Sequence, residues 1–339
     1  MVIPSTSAPI VIAHRGASAH RPEHTLLSYE AAIAMGADYI EPDLVSTRDH
    51  VLVARHENEI SGTTDVSDRP EFAGRHTTKT IDGRAVTGWF TEDFTLAELR
   101  TLRARERVPG LRPGNTAFDG LAGIPTFEEV VRLAQRAGVG VYPETKHPTY
   151  FASIGLPLEE PLLDVLDRHH VRRAYIQSFE TANLRGLSGR TGLPLIQLIP
   201  AGGAPYDWIA AGGGRTYDDM VTPEGLDEVA GYAQGIGVDT RRVVPAGPDG
   251  RLLAPTTLVA DAHRRGLDVH VWTVRNENSQ LPVDFRLGEP ASPVYDRATG
   301  DVMGWLSRLL ELGVDGAFCD DPAMGRAVTS AQTGSPHRS

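Results

Sequence analysis

The sequence predicts an α/β protein, a TIM-like (β/α)8 barrel with a capping insertion of irregular loops and short helices. Three observations support this prediction. Strand and helix patterns alternate along the 339 residues, about eight such units can be counted, and no G-x-G-x-x-G motif follows the first strand. Alternation of this kind indicates a parallel sheet covered by helices, and eight units fit a closed barrel better than an open doubly wound sheet.

Short apolar runs rich in β-branched residues indicate the strands. They cover residues 10–13, 39–45, 51–54, 140–143, 174–177, 195–199, 235–238, 269–274 and 316–319.

Segments with helical periodicity lie between most of the strands. Several begin with a capping threonine, such as Thr126 before Glu128 and Glu129, and several end at a glycine, such as Gly138. The predicted helices cover residues 25–35, 96–102, 126–137, 158–169, 181–188, 223–233, 256–265, 303–312 and 323–330.

Three long segments interrupt the alternation, at residues 57–123, 200–222 and 276–301. Each follows a strand, so we expect them to surround the mouth of the barrel, where barrel enzymes have their active sites. The predicted organisation is one domain over residues 8–330, in which the insertion at about 57–123 caps the mouth. Residues 331–339 are expected to be a disordered tail.

Composition narrows the function. The net charge of −11 argues against a general nucleic-acid-binding protein, which would carry a basic surface. No apolar run approaches the ~20 residues of a membrane span, and residues 1–13 lack the pattern of a signal peptide. We therefore expect a cytoplasmic protein without membrane insertion. A secreted or periplasmic protein without its leader would have the same sequence, and the oligomeric state stays open.

Three carboxylates occupy strand positions that suit a metal site. Glu41 and Asp43 lie two residues apart and so project from the same face of a strand, and Glu144 follows another strand. Carboxylate oxygens are the ligands preferred by Mg²⁺ and Ca²⁺. Arg15 and Lys146 would add positive charge at the same mouth, and the combination favours an anionic phosphate substrate.

Two histidines are candidates for proton transfer, because imidazole titrates near neutral pH. His14 and His56 each lie near the end of a strand, on either side of the strand that carries Glu41 and Asp43. His147 could line the site. His270 shares a strand face with Trp272 and is expected to fill the barrel or its rim. The histidines expected to be structural are His20, His24, His76, His169, His170 and His263.

A set of motifs then occurs in a fixed order along residues 10–328. The motifs are His14-Arg15-Gly16, Pro22-Glu23-His24-Thr25, Glu41-x-Asp43, Thr47, His56, Pro143-Glu144-x-Lys146, Gln177-Ser178-Phe179 and Trp272-Thr273-Val274-Arg275. With them the chain resembles the glycerophosphodiester phosphodiesterase family of the phospholipase-C-like superfamily, and its bacterial periplasmic type in particular.

This resemblance implies a function and a set of roles. The expected reaction is metal-dependent hydrolysis of glycerophosphodiesters to sn-glycerol 3-phosphate and an alcohol. It implies one divalent cation, Ca²⁺ or Mg²⁺. The metal ligands would be Glu41, Asp43 and Glu144, and the acid–base pair would be His14 and His56. The residues expected to contact substrate or phosphate are Arg15, Lys146 and Trp272.

The sequence also departs from the family pattern. Glu57 follows His56 where the family often has aspartate, His24 replaces a common asparagine, and Cys319 precedes Asp320 where threonine is common. Two other functions stay open. One is a related barrel phospholipase or lyase that acts on intact lipids, and the other is a catalytically silent glycerophosphodiester-binding protein. The sequence leaves open the alcohol moiety of the substrate and whether a cyclic intermediate or direct attack by water is used.

Overall fold

The computed structural model describes residues 8–333, which form a barrel of parallel strands surrounded by helices. The strands are β1 (Ile10–His14), β2 (Tyr39–Glu41), β3 (Asp43–Ser46), β4 (Leu52–Ala54), β5 (Thr77–Ile81), β6 (Arg84–Gly88), β7 (Gly140–Val141), β8 (Glu144–Thr145), β9 (Ile176–Ser178), β10 (Leu195–Ile199), β11 (Gly235–Asp239), β12 (Asp268–Val274) and β13 (Gly316–Cys319).

Two breaks divide barrel strands into the pairs β2 with β3 and β7 with β8. Hydrogen bonding continues across both breaks, because the amide of Tyr142 donates to the carbonyl of Ile40 and the amide of Glu144 donates to that of Pro42. The parallel neighbours then follow in the order β1, β2–β3, β7–β8, β9, β10, β11, β12 and β13, and β13 pairs again with β1. Eight parallel strands therefore close a TIM-type barrel, as the sequence predicts.

The helices lie around the sheet, and the long helical segments predicted from the sequence are present. They are α1 (Leu26–Ala34), α2 (Leu96–Leu99), α3 (Phe127–Ala137), α4 (Pro148–Ser153), α5 (Glu159–Arg168), α6 (Thr181–Ser188), α7 (Tyr206–Ala210), α8 (Tyr217–Met220), α9 (Pro223–Ala230), α10 (Thr240–Val243), α11 (Leu258–His263), α12 (Val302–Glu311) and α13 (Pro322–Thr333). Short 3-10 helices cover Val66–Asp68, Pro70–Arg75, Thr91–Asp93, Pro113–Phe118, Asn278–Gln280, Val283–Phe285 and Tyr295–Arg297. None of the helices within residues 8–333 is both long and apolar enough to cross a bilayer.

The helix ends follow the local sequence signals. Thr126 accepts a hydrogen bond from the amide of Glu129, and the Glu129 side chain accepts one from the amide of Thr126, which forms a capping box at the start of α3. At the other end, Gly138 adopts a left-handed conformation with φ of 74°. The last helix includes residues 331–333, which the sequence analysis assigned to the tail. Residues 334–339 lie outside the described part of the chain.

Apolar side chains fill the barrel and the layer between sheet and helices. Ile12, Tyr142, Ile196 and Phe318 form a buried cluster inside the barrel. A larger apolar cluster joins the outer face of the sheet to the helices. Because the interior below the mouth is packed, a substrate can enter only from the carboxyl ends of the strands.

The structure corrects the sequence analysis at two places in the first third of the chain. The predicted strand at residues 51–54 is not one of the parallel strands, because β4 pairs antiparallel with β3 and returns the chain toward the barrel. The insertion at 57–123 also contains a β-hairpin, β5–β6, that was not predicted. Its turn, Asp82-Gly83, has positive φ at both residues and is a typical hairpin signal.

Candidate active site

Strand register brings the predicted site residues to one edge of the barrel. His14 pairs with Glu41 across β1 and β2, and Asp43 pairs with Glu144 across β3 and β8. Glu144 also pairs with Gln177 on β9. Paired residues in a parallel sheet lie at the same height, so five polar side chains from neighbouring strands meet at the mouth.

The turn after β1 requires an unusual backbone. Arg15 has a φ of 60° and Gly16 a φ of 92°, both in the left-handed region. A Cβ at Gly16 would lie 2.4 Å from the hydroxyl of Ser28, so only glycine fits there. In this conformation the amide of Arg15 donates a 2.8 Å hydrogen bond to Glu41. The turn therefore positions a carboxylate as well as the side chains of His14 and Arg15.

The carboxylates of Glu41, Asp43 and Glu144 form a tight cluster. One oxygen of each lies within 4.8 Å of one oxygen of the others, and all three residues are buried. Burial and the charges of Asp43 and Glu144 raise the pKa of Glu41 well above its ordinary value. Burial, opposed by Lys146 and aided by Asp43, raises the pKa of Glu144 to about 8. The surroundings of the cluster therefore do not stabilise all three carboxylates in their ionised form, and two of them tend to hold a proton unless a further positive charge is present.

Two cations lie beside the cluster. Nε of Arg15 is 3.4 Å from Asp43, and Nζ of Lys146 is 2.7 Å from Glu144 and 4.0 Å from Asp43. Burial alone would raise the pKa of Asp43, but the charge of Lys146 and a hydrogen bond from His24 hold it well below its ordinary value. With all three carboxylates ionised, as metal binding requires, these two cations would leave one negative charge in excess.

The donor set fits a divalent metal ion. Oε1 of Glu144 is buried and contacts the ammonium of Lys146 at 2.7 Å. Oε1 of Gln177, which lines the same cavity, is buried and has no hydrogen-bond partner among the described residues. Buried oxygen atoms without partners are costly unless a cation or water contacts them. Glu41, Asp43 and Glu144 could therefore hold a hard cation through oxygen atoms.

His14 belongs to a buried chain of charged groups. Its Nδ1 donates to Oδ1 of Asp320 over 2.6 Å, and the other oxygen of Asp320 contacts Arg112 at 2.5 Å. Arg112 also binds Glu277, at 2.6 Å. Burial and the charge of Arg15 lower the pKa of His14 to about 4, although Asp320 opposes them. Because Nδ1 holds the proton against Asp320, Nε2 of the neutral ring is free to accept one.

His56 has a similar arrangement on the opposite side. Its Nδ1 hydrogen-bonds the carboxylate of Glu57, whose other oxygen lies 2.7 Å from Arg107. Arg107 also contacts Glu23 at 2.6 Å, and Glu23 pairs with Arg15 at 2.9 Å. Burial and the charges of Arg15 and Lys146 lower the pKa of His56. The carboxylate of Glu57 thus lies against the imidazole ring and links it to Arg107.

Both arginines come from the capping insertion. Arg107 and Arg112 lie five residues apart, and neither was identified from the sequence. Each binds a carboxylate that in turn binds one of the two histidines. The insertion at residues 57–123 therefore contributes two of the charged groups that support the site.

The central cavity has an apolar wall on one side. It has a volume of about 250 Å³, and its lining includes both histidines, the carboxylate cluster, Phe179 and Trp272. The Trp272 indole donates to the carbonyl of Gly237 at 2.8 Å, and its ring meets that of Phe179 edge-on at 5.7 Å. All eight residues named from the sequence thus lie around this cavity. They are His14, Arg15, Glu41, Asp43, His56, Glu144, Lys146 and Trp272.

Sequence reasoning placed His24 with the purely structural histidines, and the structure shows a closer link to the site. His24 is fully buried, and its Nε2 donates to Asp43 over 2.8 Å, so it orients one of the clustered carboxylates. Its place in the Pro22-Glu23-His24-Thr25 motif was the available signal. Asp320 also carried a signal, since the sequence analysis noted the Cys319-Asp320 pair. No feature of the sequence indicated that Arg107 and Arg112 contact the site.

The sequence also matches the model of a known protein family. Residues 14–324 match the model of the glycerophosphoryl diester phosphodiesterase family. The chain is similar to a glycerophosphodiester phosphodiesterase of Arabidopsis thaliana, with 35% identity over 93% of this chain and 84% of that protein. It is also similar to a glycerophosphodiester phosphodiesterase of Haemophilus influenzae, with 30% identity over 94% of this chain and 89% of the relative.

The fold matches solved structures as well. One is an Oleispira antarctica phosphodiesterase in complex with the product sn-glycerol-3-phosphate. The match has a TM-score of 0.62 and 18% identity, and it covers 96% of this chain and 98% of the other. At this level of identity the likeness supports the barrel fold.

Proposed function

The chain belongs to the glycerophosphoryl diester phosphodiesterase family, and on this premise we propose that it hydrolyses glycerophosphodiesters to sn-glycerol 3-phosphate and an alcohol. The observation that carries the proposal is the single cavity in which two histidines face three clustered carboxylates. The proposed reaction needs one divalent cation and two proton-transfer groups, and this cavity holds candidates for each.

Glu41, Asp43 and Glu144 are the proposed ligands of the cation, Ca²⁺ or Mg²⁺. When bound, such an ion supplies positive charge that polarises a phosphate oxygen and lowers the pKa of a hydroxyl group. The close approach of the three carboxylates, their raised pKa values at Glu41 and Glu144, and the unpartnered oxygen of Gln177 beside them support this assignment.

We assign His14 as the general base. Its ring is neutral at pH 7 because its pKa is lowered to about 4, and Asp320 holds the proton on Nδ1. Nε2 can then take the proton of the attacking hydroxyl, either that of the glycerol 2-position or that of water. Asp320 also stabilises the imidazolium that forms, and Arg112 keeps Asp320 ionised.

His56 is the proposed general acid for the departing alcohol. Its partner Glu57 lies at the border of a second, larger cavity, which leads away from the carboxylate cluster. An alcohol that leaves in this direction would pass His56 and not His14. Burial, Arg15 and Lys146 lower the pKa of His56 to about 3 in the free protein, so the proposed role requires the anionic phosphate of the bound substrate to raise it. The ring would then carry a proton on Nε2 and transfer it to the leaving oxygen, which makes the alcohol a better leaving group.

Arg15 and Lys146 are the proposed phosphate contacts. Both are buried and positively charged, and both line the central cavity. They would stabilise the negative charge that builds up on the phosphate oxygens in the transition state. Trp272 and Phe179, on the apolar side, are placed to pack against the carbon atoms of the glycerol group.

Product analysis with and without metal tests the proposal. Purified protein should release sn-glycerol 3-phosphate from glycerophosphocholine, lose this activity in EDTA, and regain it with Ca²⁺ or Mg²⁺. Parallel assays with a lysolipid address action on intact lipids. Release of phosphocholine, turnover of the lysolipid alone, or full activity in rigorously metal-free protein would each contradict the proposal.

A further inference from the structure

A second cavity lies beside the central one. It has a volume of about 500 Å³ and shares Glu144, Lys146 and Phe179 with the central cavity. Its walls come from the hairpin turn at Asp82, from the start of α6 and from the segment that carries α7 and α8. A substrate whose phosphate lies near Lys146 would therefore extend its alcohol group into this space.

The lining of this cavity is acidic. Apart from Glu144, it includes the carboxylates of Glu57, Glu59, Asp82 and Glu180. The cationic side chains in the lining are Lys146, Arg84 and, when protonated, His147. Lys146 pairs with Glu144 at 2.7 Å, Glu57 with Arg107 at 2.7 Å, and His147 with Asp82 at 2.5 Å, whereas Arg84 is exposed to solvent.

Glu180 stands out among these carboxylates. It is only 4% exposed, and its oxygens accept hydrogen bonds from the amide and hydroxyl of Thr149. Within residues 8–333 it forms no ion pair with a cationic side chain. Burial and the charges of Asp82 and Asp207 raise its pKa to about 7, against the opposing effect of Thr149. A positively charged ligand group beside Glu180 would offset the free-energy cost of keeping this buried carboxylate ionised, because an opposite charge stabilises it.

Aromatic rings complete the walls. Phe179, Tyr206 and Tyr217 line the cavity, and the ring of Phe179 lies 5.4 Å from the ammonium of Lys146. The hydroxyl of Tyr217 donates to the carbonyl of Phe179 at 3.2 Å, which holds the two residues together. Aromatic faces attract ammonium groups, and quaternary ammonium groups in particular.

We propose that this cavity binds the alcohol part of the substrate and selects alcohols that carry a positively charged ammonium group. Glu180 supplies the negative charge that no cationic side chain of the described residues pairs with, and Phe179, Tyr206 and Tyr217 supply the aromatic surface. This inference rests on the proposed function, since it names the substrate class of the same site. Glycerophosphocholine and glycerophosphoethanolamine are the substrates that fit, whereas the neutral alcohols glycerol and inositol lack the charge.

A comparison of four substrates tests the inference. The metal-loaded protein is assayed for kcat/KM with glycerophosphocholine, glycerophosphoethanolamine, glycerophosphoglycerol and glycerophosphoinositol. The two cationic substrates should be favoured by at least about tenfold, the factor that about 1.4 kcal/mol of charge and cation–π interaction gives. Glu180→Gln keeps the size and the Thr149 contact but removes the charge, so it should reduce this preference about tenfold, mainly through KM.

Two further variants separate binding from general damage. Tyr206→Phe should keep the preference and Tyr206→Leu should weaken it, because only the first retains the ring. Glu160→Gln, on the exposed surface of α5, is the matched control and should leave kcat/KM unchanged for all four substrates. Equal kcat/KM values in the wild-type protein, or equal losses for all four substrates in Glu180→Gln, would overturn the inference while the proposed function stands. If the protein hydrolysed none of the four substrates, both this inference and the proposed function would be overturned.

Discussion

The two histidines of the site are held by similar groups but in different structural settings. The Nδ1–H group of each ring donates a hydrogen bond to a carboxylate, and each carboxylate binds an arginine from the insertion at residues 57–123. The side chains of His14 and Asp320 are 11% and 3% exposed, whereas those of His56 and Glu57 are 34% and 28% exposed. One arrangement is thus buried in the barrel wall and the other faces the opening.

This difference follows from how each pair is assembled. His14 ends β1 and Asp320 follows β13, and these two strands pair directly in the closed barrel. His56 and Glu57 are neighbours in sequence and follow β4, an antiparallel strand outside the parallel series. The comparison indicates that the barrel fixes the proposed base, while the more exposed side accommodates the proposed acid and the alcohol that leaves.

The largest expected effects come from the histidines themselves. His14→Ala and His56→Ala should each lower kcat by about 10²–10⁴-fold, the usual contribution of general acid–base catalysis, without unfolding the protein. With an aryl phosphodiester, whose leaving group needs no proton, the loss in His56→Ala should shrink to less than about tenfold, and that in His14→Ala should remain.

Steady-state kinetics with both leaving groups measures this difference, and circular dichroism checks the fold. His76→Ala, at an exposed position in the insertion, is the control and should retain full activity. If the aryl phosphodiester restored the activity of His14→Ala and not that of His56→Ala, the roles of the two histidines would be exchanged. Near-normal turnover in either variant would remove that histidine from the mechanism.

The arginines should differ in their effect on stability. Arg112→Met leaves the buried carboxylates of Asp320 and Glu277 with less compensation and should cost about 3 kcal/mol of unfolding free energy. Arg107→Met should cost about 1 kcal/mol, because its partners are more exposed or, like Glu23, retain another arginine. Urea unfolding at pH 7 measures both, with Arg190→Met on the surface as the control.

The cost of Arg112→Met should also depend on pH. Arg112 and His14 overcome the effect of burial and hold the pKa of Asp320 below its ordinary value. A carboxylate with a depressed pKa stabilises the folded protein above its unfolded pKa of about 3.9, and this contribution is lost as the pH falls. The difference in unfolding free energy between the wild-type protein and Arg112→Met should therefore be largest near pH 7 and shrink below pH ~4. A difference that grows in acid would contradict the assignment.

The carboxylates should have intermediate effects on activity. Asp320→Asn should lower kcat/KM by about 100-fold and Glu57→Gln by about tenfold, since such orienting partners contribute 10- to 100-fold and Asp320 is the more buried. Both carboxylates raise the pKa of their histidines. In the pH profile of kcat, which reports the substrate complex, Asp320→Asn should therefore move the acidic limb to lower pH, and Glu57→Gln should move the alkaline limb, set by protonated His56, to lower pH.

A pH profile of kcat for each variant decides this point. If both substitutions moved the same limb, the division of roles between the two histidines would be wrong. If neither moved a limb, the carboxylates would only maintain the structure.

The smallest effect is expected from Glu57→Asp, which restores the residue that the family often carries. The shorter side chain can still contact His56 but reaches less well toward Arg107, so kcat should change by less than about tenfold. Steady-state kinetics beside Glu57→Gln gives the comparison. A loss as large as that of Glu57→Gln would mean that the contact with Arg107, and not the charge, maintains His56.

Sequence reasoning succeeded where the information is local. Alternation of side chains along a strand predicted that Glu41 and Asp43 share a face, and both lie in the carboxylate cluster. It failed for the hairpin β5–β6, whose mostly exposed strands have a weak apolar pattern. It also failed for Arg107 and Arg112, since nothing near them in the sequence indicates a partner as distant as Asp320.

By itself, then, the sequence determined most of the barrel strands, the fold class and the candidate residues at the strand ends, because periodicity and strand ends are encoded over a few neighbouring positions. Only the tertiary structure decided which groups meet. His14 and Asp320 are 306 residues apart, and Arg112 and Asp320 are 208 apart. Their contacts depend on closure of the barrel and on the path of the insertion over its mouth. Charges so distant along the chain come within hydrogen-bonding distance only after folding, and no local pattern records which of them will pair.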